Sequence, residues 1–188
     1  MNSVLISIRP KWCEKIVSGE KTIEIRKTAP KIATPFKCYI YCTESGKYRN
    51  RKSVKNIWIN RGTEQRFIGN GNIIGEFVCD EVYKVDNHTS SFSIENDVAL
   101  TNLVARASCL DFCDMQAYAR DRKVLFAWHI SKLQIYDEPR PISDFKRANR
   151  TEENSPCAHM KWLYEPCKTC KECNLKRPPQ SWCYVEES

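Results

Sequence analysis

The spacing of apolar and polar positions divides this chain into short elements. Val4-Leu5-Ile6-Ser7-Ile8 is an apolar, β-rich run that Arg9-Pro10 closes. Proline suits the first turn of a helix, where the N–H it lacks has no partner in any case. From Lys11 to Ser18 the apolar residues Trp12, Ile16 and Val17 recur at helical spacing, and Gly19 offers a left-handed stop. A short amphipathic helix is predicted there. Lys21 to Lys27 then switches to period two, with Ile23 and Ile25 on one face and Thr22, Glu24 and Arg26 on the other, the pattern of a half-buried strand. Lys37 to Cys42 reads as a third strand.

Further along, Ile73 to Val85 has strand character, and Gly75 inside it points to a bulge or a close backbone approach. Asn87 to Ser93 is polar loop. Ile94 to Leu110 and Asp114 to Arg120 are helix candidates, with Asp114 or Asp111 as the cap of the second. Leu125 to Tyr136 reads as a long strand bulged near Ser131-Lys132, ended by the Asp137–Pro141 segment, after which Ser143 caps a short turn. Ser181 to Val185 is a final strand. About six strands with few helices predict a mainly β fold with α (α+β): a small closed or nearly closed mixed barrel. A chain of 188 residues supports one main core and a small appendage.

Charge and cysteine content change this picture in two places. The chain carries 30 Lys+Arg against 23 Asp+Glu, a formal charge of +7, which favours polyanionic partners. Between Glu44 and Phe67 seven basic residues face two acidic ones, interleaved with Tyr48, Trp58 and Phe67, so 44–71 is expected to be a basic insertion. No apolar run approaches the roughly 20 residues that a bilayer span needs. Met1-Asn2-Ser3 is not the basic start of a secretory signal, so a reducing cytoplasm is the expected compartment, where clustered cysteines read as metal ligands. Of the 11 cysteines, Cys157, Cys167, Cys170 and Cys173 supply four thiols within 17 positions, enough for a tetrahedral zinc site in a segment with few apolar residues. An iron–sulfur cluster and a set of free thiols are the alternatives. The expected organisation is one domain over 1–188, with the cysteine-rich zinc loop at 146–177 inserted before the last strand.

Three segments carry a family resemblance. Ser7-Ile8-Arg9-Pro10-Lys11-Trp12 with Ser18-Gly19-Glu20-Lys21-Thr22-Ile23-Glu24-Ile25-Arg26-Lys27 resembles the opening of the ASCH (activating signal cointegrator homology) domain, a branch of the PUA-like superfamily. Phe126 to Ile130 and Pro178 to Glu186 resemble later strands of its bacterial and phage members. The likeness covers 3–43, 72–137 and 178–187, and its most specific piece is the G-x-K-x-x-E-x-R pattern at Gly19, Lys21, Glu24 and Arg26. It implies a PUA-like β-barrel with flanking helices and a cleft beside the first helix that binds RNA or a nucleotide-like ligand. Lys21 and Arg26 can offer donors to a phosphate or base edge while Glu24 holds Arg26 in place, Trp12 can stack a base, and Gln180 and Ser181 can bond a base edge.

Catalysis in the same cleft is the alternative reading, as a ribonuclease or a modified-nucleoside hydrolase in which Lys21 works with Glu24 as general base. Small acetylcytidine amidohydrolases of the family use a Lys, a Thr and a Glu. The Lys falls on Lys21, but the Thr position is Glu24, and no Glu stands near Ser108 to Asp114, so that activity is not expected here. A third reading is a protein-interaction module built on the zinc loop.

Overall fold

A computed structural model describes residues 3–44, 58–61, 65–68, 70–88, 91–148 and 174–187. The apolar opening run is strand β1 (Ser3–Ile8), and α1 (Pro10–Val17) starts on the proline. Gly19 follows it at φ +78, a conformation glycine adopts without a Cβ penalty. Next come β2 (Ile23–Arg26) and β3 (Phe36–Cys42). Within 44–71, β4 (Trp58–Arg61) and β5 (Gln65–Ile68) pair as an antiparallel hairpin. The 73–85 run is two strands, β6 (Asn72–Cys79) and β7 (Val82–Asn87), separated at Asp80-Glu81. The expected polar loop after them contains a two-residue strand, β8 (Phe92–Ser93), paired with Asp86 and Asn87.

Helix α2 (Val98–Ser108) starts later than the periodicity suggests, because Glu95 (φ 50) and Asn96 (φ 60) are both left-handed. Asp97 caps it by accepting from the Leu100 N–H. For α3 (Phe112–Ala119) the cap is Asp111, which accepts from the Asp114 N–H at 2.7 Å, so Asp114 lies inside the first turn. The long run after it divides at Ile130 into β9 (Val124–His129) and β10 (Ser131–Arg140), with Lys132 at φ 48. A short 3-10 turn over Ile142–Asp144, β11 (Phe145–Arg147) and β12 (Trp182–Glu187) complete the described elements.

The chain divides into two compact units. The first comprises Met1–Pro10, Cys38–Glu76 and Gln134–Ser188. Its strands run in the order β10-β6-β3-β1-β12-β11. β1 is central, parallel to β3 and antiparallel to β12, and this register aligns Tyr39, Leu5 and Cys183. With Tyr41, Ile73, Phe145 and Val185 they form this unit's buried cluster, in which Tyr39 and Phe145 meet edge to face at 4.7 Å. Gly75 is the close approach its position suggested: a Cβ there would stand 2.4 Å from the Gln134 carbonyl oxygen. On either side of the 149–173 stretch the backbone is pinned together. Lys146 bridges Asn174, the Leu175 N–H donates to Phe145 O at 2.7 Å, and the Ala148 N–H donates to Tyr184 O at 3.0 Å.

The second unit comprises Lys11–Lys37 and Phe77–Leu133, with strand order β2-β9-β7-β8. Ile23, Ile25, Val85, Leu125 and Ala127 pack with Val104 of α2 and Met115 and Ala119 of α3 in its core. Trp128 is fully buried and meets Phe36 edge to face at 5.7 Å.

The chain is therefore mainly β with few helices. The expected closure of about six strands into a barrel is not what the pairing gives. Among the described residues the six-stranded sheet is open in its order, and the other strands form separate four- and two-stranded sheets. Alternation in sequence tells which face a residue takes but not which strand lies beside it. Among the described residues no helix is long and apolar enough to cross a membrane.

Candidate functional site: a buried lysine, glutamate and arginine

β2 has only four residues, Ile-Glu-Ile-Arg, and both of its faces are buried. Ile23 and Ile25 enter the core, as period two requires, yet Glu24 and Arg26 are only 6% exposed rather than solvated. Glu24 bridges two cations: its Oε1 is 3.0 Å from Arg26 Nη2 and its Oε2 is 3.3 Å from Lys21 Nζ. Within the cluster, two cations therefore face one carboxylate in a dehydrated setting, where unmatched charge is expensive. The 3.3 Å contact is an ion pair without hydrogen-bond alignment. Among the described residues nothing donates a well-aligned hydrogen bond to Glu24 Oε2.

Lys21 has a second task. Its ammonium donates to Ile23 O at 2.8 Å and to Ser108 O at 2.6 Å. Ser108 ends α2, and the last four carbonyls of a helix lack partners within it. Here each finds one. Ala105 O accepts from Ser108 Oγ, Arg106 O from the Cys109 N–H, Ala107 O from the Thr22 N–H and Ser108 O from Lys21. A cation at this end also meets the negative pole of the helix. The dipeptide Lys21-Thr22 thus closes α2 from 87 residues away.

The turn that presents Lys21 is itself held. Lys15 Nζ and Glu20 Oε2 pair at 2.7 Å and the Lys21 N–H donates to Lys15 O. The hydrogen bond from Lys15 lowers the Glu20 carboxyl, helped by one from Ser18 Oγ, and the same Lys15–Glu20 bond raises the Lys15 ammonium. Half-buried Trp12 of α1 meets two ammonium groups, Lys11 Nζ at 4.5 Å and Lys21 Nζ at 5.2 Å from its ring centroid.

The fold thus brings Trp12, Lys21, Glu24 and Arg26 together in the second unit. Gln180 and Ser181 belong to the first, in the turn before β12. Gln180 is exposed there, and Ser181 O accepts from the Ser7 N–H at 2.9 Å. The expected metal ligands Cys157, Cys167, Cys170 and Cys173, and most of the basic 44–71 stretch, lie outside the described residues. Among the described residues no group of three or more His, Cys, Asp or Glu can hold a metal ion.

Two contributions were not visible in the sequence. Ser108 is fully buried against Lys21, and nothing in Ala107-Ser108-Cys109 announces a partner so far back along the chain. The other is an imidazole–carboxylate pair, His129 Nδ1 at 2.7 Å from Asp80 Oδ1. Burial works to raise the Asp80 carboxyl, but side-chain hydrogen bonds with His129 and Ser131 outweigh it and hold it below its ordinary range.

No family model matches the sequence, and no curated protein does. Solved structures are similar, and they define the class: the chain has the fold of an ASCH domain. The structures in question are of ASCH from Zymomonas mobilis. The crystal structure of that protein matches 98% of this chain and 87% of its own at 17% identity, with a TM-score of 0.53. Its tyrosine-to-phenylalanine variant matches 99% and 91% at 16% identity and a TM-score of 0.54. Its serine-to-alanine variant gives 98% and 88% at 18% identity and 0.55.

Proposed function

We propose that the chain is a PUA-like module that binds RNA or a nucleotide-like ligand beside α1, with the Lys21–Glu24–Arg26 cluster supplying charge and Trp12 a stacking surface. The observation that carries this reading is the buried cluster of two cations on one carboxylate next to a half-buried tryptophan. A phosphate is the complement of such a cluster, and an aromatic face serves any base. Titration of a labelled single-stranded RNA in low salt tests it. Arg26→Ala is expected to weaken binding roughly ten- to a hundredfold, the range of a charge-assisted hydrogen bond, and wild-type affinity should fall steeply with salt. Unchanged affinity in a folded Arg26→Ala protein would remove Arg26 from the site.

One observation favours cleavage in the same cleft as a second reading. Glu24 Oε2 has a lone pair not engaged by an aligned donor, as a general base requires, and a cation 3.3 Å away. RNA and acylated cytidines incubated with wild type and Glu24→Gln separate the two. A binding module leaves them intact, whereas a hydrolase or ribonuclease gives product that the variant does not.

For the cysteine-rich stretch we propose a zinc ion held by Cys157, Cys167, Cys170 and Cys173. Their spacing supports this. Protein purified without chelator should carry about one zinc per chain; less than about half an equivalent would defeat the proposal. If this loop instead recruits a protein, Cys170→Ser should abolish that partner's capture while RNA binding persists.

A further inference from the structure

The second unit contains a feature that neither the charged cluster nor the fold uses, a solvent-reachable cavity of about 230 Å³ among α2, α3, β7 and β8. Its deep lining is part of the core: Val85 and Val104 are 1% exposed and Met115 3%. Ala105 and Phe92 also line it, and Phe112, at the start of α3, lines it while staying 43% exposed. No ionisable side chain takes part. The Thr101 hydroxyl, one of its few polar groups, is already engaged, donating to Asp97 O at 2.6 Å and accepting from the Ile94 N–H at 3.1 Å.

We propose that this cavity is a binding site for a small uncharged aromatic molecule of one or two fused rings. Because the pocket opens to solvent over mostly apolar walls, an occupant that covered them would displace water and add contacts those walls lack. Size and polarity set the class of that occupant. An apolar protein cavity of about 150 Å³ stays dry and takes up benzene, so one half as large again accommodates an indole-sized ring system. An occupant bearing phosphate or carboxylate would lose its hydration against walls that return no charge. That separates this site from one for nucleic acid. The walls also suit a flat ring: Phe92 and Phe112 stand edge to face, 5.4 Å apart at 63°, and the Met115 thioether makes favourable contacts with aromatic edges. A bound ring would cover the exposed part of Phe112.

Indole is a suitable probe, read by the carbon-13-labelled methionine methyl signals of the whole chain, which has only three methionines. Millimolar indole is expected to shift the Met115 methyl signal saturably and to raise the thermal midpoint. Ala105→Leu, which puts three more carbons into the cavity, should abolish both responses without lowering the midpoint of the free protein. Ala105→Val, the milder change, should weaken them. Indole-3-carboxylate, the charged analogue, should bind at least tenfold more weakly. A Met115 signal unmoved by indole up to its solubility overturns the proposal. So does an undiminished response in whichever Ala105 variant folds, or equal binding of the charged analogue.

Discussion

Lys21→Met is expected to cost about 3–5 kcal/mol of folding stability, the range for removing one member of a buried ion pair. The methionine can occupy much of the same volume, so the loss is electrostatic rather than a matter of packing. It strips the Glu24 carboxylate of one of its two cations while leaving that group buried. It also leaves Ser108 O and Ile23 O without the ammonium that bonds them, at the point where α2 ends. Urea unfolding measures the change as a shift of midpoint at constant slope. The cause can be isolated in a double-mutant cycle: Glu24→Gln added to Lys21→Met should cost less than Glu24→Gln alone, because one buried cation, Arg26, then loses its partner instead of two. A change below about 1 kcal/mol in Lys21→Met would mean that water or rearrangement compensates, and the capping role would fall.

Gly75→Ala should be the next most disruptive change, at about 1–3 kcal/mol and despite adding a single methyl group. The new Cβ would lie 2.4 Å from Gln134 O and 3.0 Å from Ile135 Cα, and both are backbone atoms that cannot swing aside as a side-chain tip would. β6 and β10 would have to separate locally. Gly19→Ala is the instructive comparison. Nothing stands within 4 Å of a Cβ there, so its cost is conformational, from φ +78, and should stay near 1 kcal/mol. Equal losses at the two positions would argue against the steric account of Gly75.

These positions also show where the sequence was informative. An isolated glycine within a strand pattern signals a close backbone neighbour, and Gly75 has one. Pro10 and Gly19 bracketed α1 for reasons local to the chain, and the alternation through Ile23 and Ile25 placed both in the core. The rest depends on residues far apart. Period two assigns Glu24 and Arg26 to the polar face but does not say that this face is also covered. The depth of the site follows from residues such as Ser108 that no nearby pattern connects to it. Capping shows the same division. Asp97 is an obvious cap only once Glu95 and Asn96 are known to be left-handed, which their side chains do not announce. Strand number was not legible, about six being expected where twelve are described, and neither were strand partners, and with them the open order in place of a barrel.

The place of β12 between β1 and β11 has a bearing on synthesis. β1 leaves the ribosome long before β12, and β3 can cover one of its edges soon afterwards. Its other edge, the backbone from Ser3 to Ile6, waits for residues 182–185. Until those residues are made the nascent chain therefore presents an unpaired strand edge with five consecutive buried-type positions, Val4 to Ile8, of the kind that pairs with other chains. Escape from aggregation in that interval depends on how quickly the last strand arrives.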